Sequence, residues 1–158
     1  MKIRGSEIPL KVLALTFSLA IPFPGDAAPL FKVRTEFPDT DDYVRCITID
    51  RTRDIVYIGG DVTTVGGQAR SRVAAIDANT GSLLPWNPGA NGSVRAIAVD
   101  ADTVYLGGSF SEVGGQTHHY VAATDMEGNV LPWNPDSDEY INAIAVIAVS
   151  HVKLKHRK

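Results

Sequence analysis

Apolar positions in this chain come in short runs, each closed by residues that favour turns. Val94–Val99 is one such run, ended by Asp100, and Val104-Tyr105-Leu106 is the next, running into Gly107-Gly108. Tyr120–Thr124 is a third, closed by Asp125-Met126-Glu127-Gly128, and Val130–Trp133 is a fourth, closed by Asn134-Pro135. Runs this short, split by Gly, Asn, Asp and Pro, predict β-strands and exclude any helix longer than one turn.

The same order of runs stands twice in the chain. VRCITIDRTRDIVYIGG (44–60) matches VRAIAVDADTVYLGG (94–108), and GGDVTTVGGQ (59–68) matches GGSFSEVGGQ (107–116). VAAIDANTGSLLPWNP (73–88) matches VAATDMEGNVLPWNP (121–135). The spacing between equivalent residues falls from 50 (Val44 to Val94) to 47 (Trp86 to Trp133), because the second copy has shorter turns. Pro38–Val44 aligns with Pro88–Val94 and again with Pro135–Ile141, and Ile141–Val146 opens a third copy. Upstream, Leu30–Phe37 resembles the last strand of an earlier unit. Self-similarity at this period marks a repeat architecture. Four antiparallel strands per unit match one blade of a β-propeller. The predicted fold is therefore all-β: antiparallel four-stranded blades in an incomplete propeller of two full and two partial units.

Each recurring residue has a structural reason to recur. Gly59, Gly60, Gly107 and Gly108 stand at strand ends, where a bulge or a close backbone approach leaves no room for a Cβ. Gly66, Gly67, Gly114 and Gly115 suit a turn with positive φ. Asp77 and Asp125 precede turns whose N–H groups a carboxylate accepts. Trp86 and Trp133 come once per unit and are expected to pack between neighbouring blades.

These residues together resemble the delta-60 repeat. The shared pattern is V-x-A-I-x-V-D, then V-Y-x-G-G-x-F-x-x-V-G-G-Q, then V-A-A-x-D, then P-W-N-P, and it covers residues 38–146. That repeat is found in bacterial secreted and surface proteins and in propeller regions of fungal cell-tip markers. The resemblance implies a β-propeller with an extracellular or envelope address, and it implies no catalytic set. A propeller closes with about four to eight blades, more than this chain holds. After Val146 the Gly pair the repeat calls for is missing, and the text runs instead through Ile147–Leu154 to a basic end. The expectation is a truncated or frame-shifted piece of a longer repeat protein, or else a chain that completes its ring by self-association.

The first residues read as an address. Met1-Lys2-Ile3-Arg4 and Lys11 are followed by the apolar run Val12–Phe23, then by Pro24-Gly25-Asp26-Ala27-Ala28. A positive region, a short apolar core and a small-residue site make a secretory signal, and the core is too short for a full membrane span of about 20 residues. Cleavage after Ala27 places Gly25 and Ala27 at the two small positions. Cleavage after Ala28 would put Asp26 at one of them, and the competing reading is an uncleaved anchor or a buried helix. The expected organisation is a signal at 1–27, a linker or partial strand at 28–37, repeats at 38–149 and a basic tail at 150–158. Within the repeats, unit one is 44–93, unit two 94–140, and a partial unit starts at 141. The expected localisation is secreted, extracellular or cell envelope.

Composition narrows the chemistry. The chain has 158 residues, 44% hydrophobic and 21% charged, with a formal net charge of −3. That is an ordinary globular composition, and it offers no electrostatic case for nucleic acid. A single cysteine, Cys46, forms no internal disulfide, and its counterpart in the second unit is Ala96, which favours a small buried residue over a reactive thiol. No Walker A, G-x-S-x-G or H-E-x-x-H pattern occurs.

Few side chains are candidates for a site. Asp39, Asp41 and Asp42, with Asp136, Asp138 and Glu139 at the equivalent place, have the spacing of oxygen ligands for Ca²⁺. In the middle unit Gly89-Ala90-Asn91-Gly92 replaces them and the full EF-hand pattern is missing, so solvated loops are the better reading and no cofactor is expected. Ala75–Gly81 followed by Trp86 is a near match to the tryptophan docking motif of quinoprotein propellers, which packs blades and is not their chemistry. His118-His119 falls in a variable turn opposite Arg70-Ser71, and Asn91-Gly92-Ser93 has the form of a glycosylation sequon. The basic end, His151–Lys158, could touch acidic lipid or polymer. The expected function is a secreted, non-enzymatic repeat segment, a structural or interaction module for an unknown protein or glycan. The alternative is an envelope propeller enzyme, a quinoprotein-like oxidoreductase or a hydrolase, whose catalytic blades are missing.

Overall fold

The computed structural model describes residues 37–135 and 137–146. The signal at 1–27, the segment 28–36, Asp136 and the tail lie outside them. The described chain is all-β and antiparallel, without a helix. Its strands are β1 (Val44–Asp50), β2 (Ile55–Gly60), β3 (Thr64–Val65), β4 (Gln68–Ala69) and β5 (Val73–Asp77). They are followed by β6 (Val94–Asp100), β7 (Thr103–Gly108), β8 (Glu112–Val113), β9 (Gln116–Thr117) and β10 (Val121–Thr124).

Two three-stranded sheets, β1-β2-β5 and β6-β7-β10, share one topology, and each carries a small hairpin, β3-β4 or β8-β9. Their registers agree to the residue. In the first sheet Val44 faces Gly60 and Cys46 faces Gly59, which leaves Arg45 as an extra residue. In the second, Val94 faces Gly108 and Ala96 faces Gly107, which leaves Arg95. An extra residue on one strand is a β-bulge, and it turns the side chain out of the regular alternation. Arg45 accordingly leaves the sheet to pair with Asp61, at 2.9 Å from Nε and 2.5 Å from Nη2. Arg95 reaches Asn142 at 3.1 Å.

The structure differs from the sequence reading at the fourth strand of each unit. Those segments touch their sheets through single bridges, Ile76 to Leu83 and Thr124 to Val130, with Leu84 N and Leu131 N donating to Ala75 O and Ala123 O. Pro85 and Pro132 follow immediately and have no N–H to continue a ladder. The residues between the second and third strands fold further than expected, into the hairpins. Gly66 and Gly67, and Gly114 and Gly115, have φ of +57°, +73°, +59° and +74°, a two-residue turn whose twist matches its flanking strands.

The sheets pack face to face. β1 and β2 lie against β6, and the main core fills the seam with Tyr57, Val73 and Trp86 on one side and Ile97, Leu106 and Ala122 on the other. Gly59 permits this approach, since a Cβ there would fall 2.8 Å from both Cys46 Sγ and Val94 Cγ1. Thr48 Oγ1 donates to Ile97 O across the seam at 2.6 Å. A second cluster of Val56, Ile58, Val62, Val65, Ala74 and Ile76 covers the outer face of the first sheet with help from Phe37. Ile47 and Ile49 stay partly exposed there, at 44% and 39%.

Candidate functional site

Trp86 and Trp133 stand at equivalent places in different surroundings. Trp86 meets Tyr57 edge-on, with ring centroids 5.0 Å apart at 82°. Its Nε1 crosses the seam to donate to Asp125 O at 3.2 Å and to Thr124 Oγ1 at 3.4 Å. Trp133 meets Tyr105 in the same way, at 5.2 Å and 81°. Trp86 is 3% exposed and Trp133 44%. Only Trp86 has a sheet docked over it among the described residues.

The acceptor residues of the turns are engaged with backbone. Asp77 Oδ1 accepts from Asn79 N, Thr80 N and Thr80 Oγ1. Asp125 accepts from Glu127 N, Asn129 N and Asn129 Nδ2, and the Asn129 side chain is the main reason its carboxyl lies below the usual range. At the same end of the sheets, Asp50 accepts from Thr52 N and Arg53 N. Arg53 bridges Asp50 to Asp102, so the β1–β2 turn is tied to the β6–β7 turn across the seam.

The opposite end carries the hairpins and the connections between units. There Asp41, a calcium candidate in the sequence, caps the first hairpin. Its carboxylate accepts from Thr63 Oγ1, Thr63 N and Thr64 N. Those bonds, the Thr63 hydroxyl first, lower its pKa to about 2. Asn91 holds the same position on the second hairpin, where Oδ1 accepts from Ser111 N and Glu112 N and Nδ2 donates to Ser111 Oγ. The amide of the sequon is thus part of a hairpin cap. This Asp–Asn equivalence was legible in the alignment of Pro38–Val44 with Pro88–Val94, because an amide oxygen accepts as a carboxylate does. Asp39 and Asp138 are exposed. No group of three His, Cys, Asp or Glu side chains among the described residues is placed to hold a metal ion.

The glycine pairs at the strand ends sit against backbone. A Cβ at Gly60 would collide with the Tyr43 carbonyl, and one at Gly108 with the Ser93 carbonyl. Arg72 and Tyr120, at equivalent positions, hold φ of +72° and +66° and bring each hairpin back to its sheet, with Gly60 N and Gly108 N donating to their carbonyls. Cys46 is half-buried with Sγ 3.9 Å from Val94 O, and burial pushes its thiol up to about 11. His118 is 4% exposed and its Nδ1 has no hydrogen-bond partner, while His119 is exposed at the surface.

Between the two units at this end lies an open recess of about 490 Å³. Ser71, Asn87 and Gly89 line one side, and Glu112, Gly114 and Gly115 the other. Asn87 Oδ1 accepts from Ser71 N at 3.3 Å, and Gly114 N donates to Gly89 O at 2.8 Å. The recess offers one carboxylate, one hydroxyl and two side-chain amides, those of Asn87 and Asn91. That chemistry suits hydrogen bonding to a neutral polar ligand. No protein-family model, curated protein or solved structure matches the chain.

Proposed function

We propose that the chain is a secreted or envelope-associated module of β-propeller type, each sheet with its hairpin forming one blade, and that it acts by binding protein or glycan without catalysis. The seam carries this reading. Two like antiparallel sheets are stacked face to face, with Trp86 of one donating to Asp125 of the next. The Tyr57–Trp86 pair recurs as Tyr105–Trp133. Radial repetition of such sheets builds a propeller. The recurring residues serve turns, close approach and the seam, and the units differ in turn length at the Asp50 and Asp77 end but in side-chain chemistry at the hairpin end, where Ser71 aligns with His119 and Arg70 with His118. Loops that differ on a common frame are where binding is placed in repeat folds. The recess beside Asn87 and Glu112 gives that end a concave polar surface.

The test uses the chain from Ala28 onward, fluorescently labelled and applied to a printed glycan array and to purified envelope polysaccharides. Saturable binding is expected, weakened about tenfold or more by Glu112→Lys or Ser71→Trp at unchanged melting temperature. Turnover of an alcohol with a quinone acceptor, or of a nitrophenyl ester, in the absence of any binding would replace this reading with an enzymatic one.

A further inference from the structure

Residues 141–146 lie on the second sheet as β6 lies on the first. The Cβ site of Gly59 meets Val94 and Ile97, and the Cβ site of Gly107 meets the equivalent Ile141 and Ile144. There the likeness ends. β6 is hydrogen-bonded along its length to β7, whereas no strand among the described residues pairs with 141–146. Ile141 N donates to Gly108 O at 3.2 Å. Asn142, Ala143, Ala145 and Val146 are exposed. Trp133, on Tyr105 and hence on the same sheet face as Gly107, is 44% exposed where its counterpart is 3%.

We propose that 141–146 is a self-association edge, at which a second copy of the chain lays its own 141–146 antiparallel across a two-fold axis. The sequence Ile-Asn-Ala-Ile-Ala-Val contains no charge, proline or glycine. Those are the devices that keep an exposed edge from pairing, and their absence is the signature of a segment that pairs with itself. An identical stretch run antiparallel is complementary to itself in backbone donors and acceptors, which makes the interface isologous and closed at two copies. The other exposed apolar pair, Ile47 and Ile49, lies on β1 among the ion pairs Arg45–Asp61 and Arg53–Asp50 and beside Arg51, charged side chains of the kind that keep an exposed edge from pairing. This contact requires no ligand, so it is independent of the binding proposed above.

Sedimentation velocity of the full chain, from micromolar to sub-millimolar concentration, is the test. A monomer–dimer equilibrium is expected. Ala145→Pro removes a backbone donor and Ala145→Lys adds a charge at an exposed position. Each is expected to weaken the dimer by about tenfold or more while leaving the far-ultraviolet circular dichroism unchanged. If Ala145→Pro fails to fold, Ala145→Lys decides. The proposal is overturned by a chain that stays monomeric throughout, by a dimer that survives Ala145→Lys, or by one that is lost in Ile47→Lys instead.

Discussion

The indole N–H of Trp86 and the N–H of Gly128 both donate to the carbonyl oxygen of Asp125, at 3.2 and 3.3 Å. One acceptor thus serves the turn of the second sheet and the docking of the first.

Removing that indole is expected to be costly. Trp86→Ala empties the middle of the seam and should destabilise the chain by about 3–5 kcal/mol. Trp86→Phe keeps the ring and loses the bond, at about 1 kcal/mol. Trp133→Ala, at an exposed ring, should fall well below Trp86→Ala. Denaturant unfolding of the monomer, read by circular dichroism, ranks the three.

The glycines divide into two kinds that substitution separates. Gly60→Ala and Gly108→Ala drive a methyl into the Tyr43 and Ser93 carbonyls, and neither variant is expected to keep its strand pairing. Gly67→Ala and Gly115→Ala meet nothing within 4 Å and bear only the cost of positive φ, about 1–2 kcal/mol each. Thermal melts of the four variants should fall into two well-separated pairs.

Asp41 makes stability depend on acid. Its folded-state pKa, about 2, lies below the unfolded value, so the stabilisation is present above the unfolded pKa and is lost as pH falls through about 2. Asp41→Asn keeps the acceptor, as Asn91 does in the second unit, and should flatten the decline of melting temperature between pH 5 and pH 2. Asp41→Ala should lower the melting temperature at neutral pH. An unchanged acid profile in Asp41→Asn would count against the role assigned to this carboxylate.

Cys46 should be unreactive while the chain is folded. With its thiol raised to about 11 by burial, little thiolate exists at pH 8. Modification by a thiol reagent should be slow in buffer and fast in denaturant, and mass spectrometry of the products at matched times measures both.

Three strands of each sheet were legible because β1 and β6 are runs closed by Asp50 and Asp100, and β2, β5, β7 and β10 are apolar runs bounded by Gly or Asp, and the turn roles of Asp77 and Asp125 follow from their place before polar residues. The fourth strand was misjudged because Leu83-Leu84 and Val130-Leu131 have strand composition, while Pro85 and Pro132 decide the hydrogen bonding. The hairpins were missed because a two-residue strand has no periodicity to detect. Gly66-Gly67 between Thr64-Val65 and Gln68-Ala69 was the available signal. The different exposure of Trp86 and Trp133 could not be read from two identical Pro-Trp-Asn-Pro contexts, since it depends on what a neighbouring sheet covers.

The seam joins unlike surfaces: an aromatic pair with a glycine on one sheet, and isoleucine, leucine and a turn carbonyl on the other. Because each sheet carries one surface of each kind, a stack of them has a direction. Its two ends differ chemically, so a surface complementary to one end is not complementary to the other.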